Sequence, residues 1–385
     1  MMGALATGAT LLIAVVQVSA TAFAIPSDVR VPGTALAGAV PAPPSRADWR
    51  HGEILETIAR HAGGPNVPAT VSVVPNHAWF STSNFRYYAV RDARPFRVLR
   101  AWDDVPIGVH YLVLKSGDVG PPWTEAKARR ATARVSNDGD LARVYPVIAE
   151  LPLPDGSVAT VRARDLGAGV DGTPDAMAES LAVAVRRALD DVARDVAGLD
   201  VRVDHDATIL RGRVRRLEIV ATRATVGELR KPQAARLIVH DLRLVVDELV
   251  VNPWSIRHGG RFESLDARRV WLAQATIGAA DLQTFLHELK GFERTTVHLE
   301  PNALVFTVRL PGPDISGRVR VMPAPGRPFA LDADNVRLGG VLVPKALVGW
   351  VFRSIDPSSR LAERLPVPVE ITKVRVTADA IRIGD

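Results

Sequence analysis

The chain has 385 residues, a formal net charge of +6 and an apolar content of 47%, which exclude general disorder and allow two domains of ordinary size. It contains no cysteine, so disulfides, thiol catalysis and cysteine metal sites are excluded. The basic balance fits an anionic lipid, a membrane surface or nucleic acid, and charge alone does not separate these partners.

An apolar stretch without charged residues opens the chain, from Gly3 to Ile25. About 20 such residues cross a bilayer as a helix, so we predict a transmembrane helix over residues 1–25. Ala22-Phe23-Ala24 also fits a signal-peptidase site, and a cleaved signal segment or a core helix stays open as an alternative. Residues 26–48, rich in Pro, Gly and Ala, are predicted to form an extended linker.

Residues 49–166 alternate between helical and strand patterns, which predicts a small α/β domain with a mostly parallel sheet. Pro154-Asp155-Gly156 marks a hairpin turn late in this domain. The expected elements are helices at residues 54–59 and 124–135 and strands at residues 71–74, 96–99, 111–114, 147–153 and 158–161.

A second domain is expected over residues 173–385, and it opens on an amphipathic helix predicted from Thr173 to about Leu199. Apolar residues recur there at steps of three and four, so they share one face. Thr173 suits the N-cap, Pro174 suits the first turn, and Gly198 suits the end.

The apolar period then changes to two, which predicts long strands. The step from Val239 to Leu242 is three, and we predict a bulge there that bends the sheet. Short helices are expected at residues 280–290 and 345–355. The prediction is therefore an α+β fold in which a long bent antiparallel sheet wraps on a long helix.

Two segments of the second domain carry a family resemblance. Gly212–Arg230, GRVRRLEIVATRATVGELR, and Leu365–Ile383, LPVPVEITKVRVTADAIRI, together with the opening helix, resemble the LmeA-type family of bacterial phospholipid-binding proteins over residues 174–384. The resemblance implies a tubular lipid-binding, TULIP-like architecture that holds acyl chains between helix and sheet. The predicted partners are a phospholipid or polyprenyl-phosphate lipid and a membrane.

The first domain resembles a different family. Val73–Trp102 and Gly108–Lys127 look like the extracytoplasmic C-terminal tail of bacterial dolichyl-phosphate-mannose-type membrane glycosyltransferases. The resemblance implies that residues 3–25 are a last membrane helix, and that a membrane glycosyltransferase is a partner or the parent protein. The family's catalytic acidic residue lies in an early loop that this chain lacks, so activity does not transfer to this chain alone.

An apolar groove is the first candidate site, because the LmeA resemblance implies bound acyl chains. The alternative is that the same residues pack against one another as a closed core. The predicted lining residues are Met177, Val185, Leu189, Phe306, Leu347 and Trp350.

Arg211, Arg213 and Arg215 are the second candidate site, since alternate residues share one face of a strand. They could hold a lipid phosphate or lie on an anionic membrane. The alternative is a solvated strand face in which Asp206 and Glu218 neutralise the arginines.

No metal, cofactor or catalytic residue is predicted, because neither His-Glu-x-x-His nor Gly-x-Ser-x-Gly occurs and no phosphate-cradling glycine loop is found. Nucleic-acid binding is not expected, since no matching motif is present. The prediction is a membrane-anchored, extracytoplasmic protein of the cell envelope that binds or transfers a phospholipid or polyprenyl lipid. The alternative is the non-catalytic soluble portion of a polyprenyl-phosphate-sugar-dependent glycosyltransferase.

Overall fold

A computed structural model describes residues 47–100, 108–190, 193–227, 235–289, 292–309, 312–324, 327–343 and 369–384. The predicted membrane or signal segment, residues 1–25, and residues 26–46 of the predicted linker lie outside these ranges, as does the predicted helix at residues 345–355. Among the described helices, none combines the length and the hydropathy that a membrane span requires.

The described chain is an α+β protein that divides into two compact units. The first unit holds the described residues up to Arg100, together with Val113–Arg129 and Val147–Val161. The second unit holds residues 108–112, Arg130–Pro146 and the described residues from Arg162 onward.

Helices and strands alternate in the first part of the chain, as its sequence pattern predicts. Its sheet has the order β4-β1-β5-β7-β6, with β1 and β4 parallel. The elements are α1 (His51–His61), β1 (Ala69–Val73), β2 (Asn76–His77), β3 (Phe80–Ser81), α2 (Thr82–Arg91), β4 (Phe96–Leu99), β5 (Tyr111–Lys115), α3 (Pro122–Asn137), α4 (Gly139–Val144), β6 (Val147–Pro152) and β7 (Val158–Ala163).

His51, the first residue of α1, is buried among aromatic rings of the first unit. Its ring stacks on Tyr88 at 4.6 Å between centroids and meets the edge of Phe85 at 4.9 Å. Burial disfavours the charged imidazolium and lowers the pKa of His51 from 6.5 to about 4. The imidazole is therefore neutral in the folded first unit near pH 7.

We expect the first unit to lose stability as the pH falls from 6.5 towards 4. The unfolded chain protonates His51 in that window and the folded unit does not, so unfolding takes up a proton. The loss amounts to about 3 kcal/mol at its limit. Hydrogen exchange of α1 at pH 7 and pH 4.5 measures it, and the drop in protection should be smaller in His51→Phe. An equal drop in the variant would contradict this role.

The second part of the chain contains two sheets and most of the long strands. Its elements are α5 (Pro174–Leu189), β8 (Ala193–Ala197), β9 (Asp200–Asp204), a 3-10 turn (Ala207–Arg211), β10 (Arg213–Gly227), β11 (Arg236–Val251), α6 (Pro253–Gly259), β12 (Ser264–Gly278), α7 (Ala279–Glu288), β13 (Thr295–Glu300), β14 (Ala303–Val308), β15 (Ile315–Ala324), β16 (Arg327–Leu338), β17 (Val341–Leu342), β18 (Val369–Glu370), β19 (Val374–Val376) and β20 (Ala380–Gly384).

The long sheet has the order β19-β20-β12-β11-β10-β8, and β9 also pairs with β10. Its three central strands, β10, β11 and β12, run antiparallel over 15 or 16 residues each. The remaining strands form a shorter sheet with the order β13-β14-β15-β16-β17, so β13 and β17 are its edges.

Helix α5 begins as predicted and ends ten residues early. The Thr173 side chain accepts a hydrogen bond from the Ala176 amide, and Pro174 occupies the first turn. The prediction of helix up to Leu199 is wrong, because α5 ends at Leu189 and Ala193–Ala197 forms strand β8.

Pairing with the long sheet overrides helical periodicity in this segment. β8 and β9 follow one another along β10, so both gain a ladder of hydrogen bonds that a longer helix would not provide. Gly198 lies between the two strands at φ +63° instead of ending a helix, and a Cβ there would approach the Thr222 side chain to 2.8 Å.

The predicted bulge in β11 is confirmed. The register between β11 and β12 shifts between His240 and Arg243, and Asp241 takes a left-handed φ of +50°. On its other side β11 keeps an unbroken register with β10. The extra residue of the bulge therefore interrupts the pairing of β11 with β12 and leaves the pairing with β10 intact. Such bulges increase the local twist of a sheet.

Candidate lipid-binding site

Helix α7 carries an apolar face whose side chains are all only partly buried. Leu282, Phe285 and Leu286 of α7, and Leu289 directly after it, recur at steps of three and four, so they lie on one side of the helix. None of the residues of α7 is fully buried. By contrast, the apolar face of α5 is closed, and its Leu181 side chain is 0% exposed.

One flank of α7 is fixed to strand β11 of the long sheet. The Asp281 carboxylate lies 3.1 Å from Nε2 of His240. The Glu288 carboxylate accepts a hydrogen bond of 2.9 Å from the backbone amide of Arg236. These polar contacts hold the helix along β11 at both of its ends.

The opposite flank of α7 is fixed to β13, an edge strand of the shorter sheet. Gln283 donates from Nε2 to the Thr295 carbonyl at 2.6 Å and accepts from the Val297 amide at 2.7 Å. His287 Nε2 lies 3.0 Å from the same Thr295 carbonyl. Two side chains therefore satisfy the backbone groups that an edge strand leaves unpaired.

Because its two polar flanks hold β11 and β13, α7 bridges the long and the shorter sheets. Leu282 packs in a cluster with Val297 and Leu304 of the shorter sheet and with Val376 and Ile381 of the long sheet. Phe285, Leu286 and Leu289 continue the same helix face and stay partly exposed. We call the four residues Leu282, Phe285, Leu286 and Leu289 the α7 inner face.

The shorter sheet continues the apolar surface beside α7. Val297, Leu304 and Phe306 lie on one side of it, because cross-strand partners project to the same face. All three side chains are only partly buried. The opposite side of this sheet is charged, with Arg320 paired to Asp332 at 2.9 Å.

A cavity of about 600 Å³ lies at the C-terminal end of α7. Two exposed arginines line it, Arg294 just before β13 and Arg309 just after β14. Guanidinium groups bind phosphate oxygens with two parallel hydrogen bonds, so this cavity is suited to a phosphate group. The lining residues are His287, Arg294, Thr296, Arg309 and Asp314.

The structure brings three of the predicted groove residues together and separates a fourth. Met177 and Val185 of α5 are buried in a core cluster with the long sheet, and Leu189 packs against that cluster. Phe306 belongs to a different cluster, around Val319 in the shorter sheet. The last two predicted groove residues, Leu347 and Trp350, lie outside the described residues.

The predicted arginine site is exposed, and its members differ in their surroundings. Arg213 and Arg215 lie on β10, whereas Arg211 ends the preceding 3-10 turn. Arg215 Nε lies 3.1 Å from Asp206. Hydrogen bonds from Thr208 hold the pKa of Asp206 at about 2, and the Arg215 guanidinium adds to this effect.

The helix α7 was predicted from its apolar pattern, but none of its residues is among the predicted site residues. Its apolar face was visible in the spacing of Leu282, Phe285, Leu286 and Leu289. What the sequence does not show is that this face stays partly uncovered. The cavity arginines are separated by 15 positions, and only the antiparallel pairing of β13 and β14 brings them together.

The fold is of the α+β class, and in its second unit a helix bridges two sheets over a partly covered apolar surface. The model of the LmeA-like phospholipid-binding family matches residues 173–384, and the chain belongs to this family. Comparisons with the curated proteins and with the solved structures gave no match. The glycosyltransferase resemblance of the first domain stays a prediction.

Proposed function

We propose that the second unit binds one phospholipid with its acyl chains along the α7 inner face, between the long and the shorter sheets. One observation carries the proposal: the inner face is entirely apolar, yet none of its residues is fully buried. A hydrocarbon chain would complete the burial that the described side chains leave unfinished. The arrangement would be TULIP-like, with lipid held between helix and sheet.

Burial of hydrocarbon supplies enough free energy for useful affinity. About ten methylenes leaving water contribute about 8 kcal/mol at about 0.8 kcal/mol each, before the costs of ordering. The gross figure corresponds to roughly micromolar binding. The proposed activity is binding or transfer of the lipid.

We place the lipid phosphate in the cavity that Arg294 and Arg309 line. The cavity meets α7 at His287, which lies on the flank that holds β13 and is next in sequence to Leu286 of the α7 inner face. The run of Arg211, Arg213 and Arg215 supports a phosphate less well, because Arg215 already pairs with Asp206. A polyprenyl phosphate presents the same two chemical parts and is the alternative ligand.

We further propose that the protein works on the extracytoplasmic side of a membrane, tethered by residues 1–25. The support is the uncharged stretch from Gly3 to Ile25, which has the length of a bilayer span. A tether would keep the lipid site within reach of the bilayer from which a phospholipid is taken.

Native mass spectrometry of the full chain, extracted in mild detergent, tests the lipid proposal. We expect a bound phospholipid in the purified protein, or stoichiometric uptake of a short-chain phosphatidylglycerol supplied below its critical micelle concentration. A chain that carries no lipid and takes up none would contradict the proposal.

A further inference from the structure

An exposed apolar hairpin lies at one end of the shorter sheet. Strands β16 and β17 pair through Leu338 and Val341, which leaves Gly339 and Gly340 as a two-residue loop. Both glycines have positive φ, +57° and +85°, as the tight hairpin turns that match strand twist require. We call residues 337–342 the tip hairpin.

Large apolar side chains project into solvent from this hairpin. Leu338, Val341 and Leu342 are 43%, 72% and 61% exposed. Phe292, just before β13, is 39% exposed at the same end of the sheet, because β13 begins where the antiparallel β16 ends. Of the six large apolar side chains that are exposed in the described part of the second unit, these are four. Such clustering marks a surface that another apolar phase covers.

The tip hairpin is attached to the wall of the cationic cavity. The Gly339 amide donates to the Asp314 carbonyl at 2.9 Å, and Asp314 lines the cavity together with Arg294 and Arg309. Arg337, in the hairpin itself, is also exposed. Three arginines and two acids, Glu293 and Asp314, therefore surround the apolar side chains at this end.

The apolar side chains of the tip hairpin and the arginines behind them follow the same order as the acyl chains and phosphates of a bilayer leaflet. Apolar side chains at a tip can enter the acyl region, while arginines set back from the tip meet the phosphates. Phenylalanine and leucine beside arginine are the residue types that interfacial membrane contacts favour. The surplus of cations selects anionic phospholipids over neutral ones.

We propose that the tip hairpin inserts into the surface of an anionic phospholipid bilayer, with Arg294, Arg309 and Arg337 contacting lipid phosphates. The contact would bring the cavity and the α7 inner face to the bilayer from which a lipid enters. The inference goes beyond the proposed lipid site, and bilayer contact can be measured separately from binding of a single lipid.

The absence of cysteine allows a direct test on the full chain. Val341→Cys is labelled with an environment-sensitive fluorophore, and the protein is reconstituted in phosphatidylcholine vesicles with or without phosphatidylglycerol. We expect a blue shift and a gain in intensity that are larger in the anionic vesicles. The matched control is Met322→Cys, which labels a 42% exposed apolar residue near the opposite end of the same sheet and should not respond.

Charge reversal separates specific contact from general adhesion. Arg309→Glu in the labelled Val341→Cys protein should abolish the preference for anionic vesicles, whereas Arg202→Glu, at an exposed position of β9, should keep it. No spectral change in anionic vesicles would overturn the inference, and so would an equal change at position 322. A change that depends on protein concentration without vesicles would assign the hairpin to a second copy of the chain and would also overturn it.

Binding of monomeric short-chain phosphatidylglycerol distinguishes the two proposals. The Val341→Asp variant should lose the vesicle contact and keep this binding, because position 341 does not line the cavity. If the unsubstituted chain fails to bind the monomeric lipid while the labelled hairpin still responds to vesicles, the proposed lipid site fails and the bilayer contact stands.

Discussion

Leu286→Glu is expected to lower the affinity of the full chain for short-chain phosphatidylglycerol by more than tenfold. Leu286 lies on the α7 inner face and is only partly buried, so a glutamate there can stay hydrated while the site is empty. Hydrocarbon bound against that face would strip water from the carboxylate, which costs several kcal/mol. Each 1.4 kcal/mol or so lost from binding is a factor of about ten in affinity.

Two variants control this result, and titration with a fluorescent short-chain lipid measures all three. Thr284→Glu adds the same charge to the exposed face of α7 and should leave affinity unchanged. Leu286→Trp adds volume without charge and should weaken binding most for the longest acyl chains. Equal affinity in the Leu286→Glu and Thr284→Glu variants, both shown to be folded, would place the acyl chains elsewhere.

Asp155→Asn is expected to destabilise the first unit by about 3 kcal/mol, because it leaves a buried ammonium group without its counter-charge. The Lys115 side chain is 0% exposed, and Nζ lies 2.6 Å from Asp155 Oδ2. Its two other hydrogen bonds go to the carbonyls of Ser116 and Asp118. All three ammonium protons therefore have partners, and only Asp155 supplies negative charge.

Denaturant unfolding followed by hydrogen exchange of β5 measures this loss. The matched control is the double variant Lys115→Met with Asp155→Asn, which removes both charges and should recover much of the stability. If the double variant is as unstable as Asp155→Asn alone, the loss comes from the turn and not from the unpaired charge.

The ion pair of Lys115 and Asp155 also makes the stability of the first unit depend on pH in the acid range. Burial opposes ionisation of Asp155, but hydrogen bonds from Lys115 and Ser157 outweigh it and lower the pKa to about 2 from 3.8. A depressed carboxylate pKa contributes stability that is fully present above pH 3.8 and is lost as the pH falls towards 2. The Asp155→Asn variant should lack this part of the acid transition.

Local signals in the sequence predicted several features that the structure confirms. Thr173 and Pro174 start α5 because a hydroxyl cap and a ring without an amide hydrogen satisfy the first turn locally. The step of three between Val239 and Leu242 located the bulge. Strand side chains alternate between two faces, so apolar residues three apart share a face only if the strand contains one extra residue. The LmeA resemblance, carried by apolar patterns of the second domain, agrees with the matched family.

The sequence alone therefore determined where α5 begins, where β11 bulges and which faces are apolar, because these depend on neighbours a few positions apart. The order of such patterns over residues 173–384 determined the family. The tertiary structure decided that β8 replaces the end of a helix, since β10 offers backbone partners that periodicity does not reveal. It also decided that Asp155, 40 positions from Lys115, neutralises a buried charge, and that α7 covers its apolar surface only in part. Pairing and burial depend on contacts between segments distant in the chain, and no local pattern encodes how completely two apolar surfaces meet.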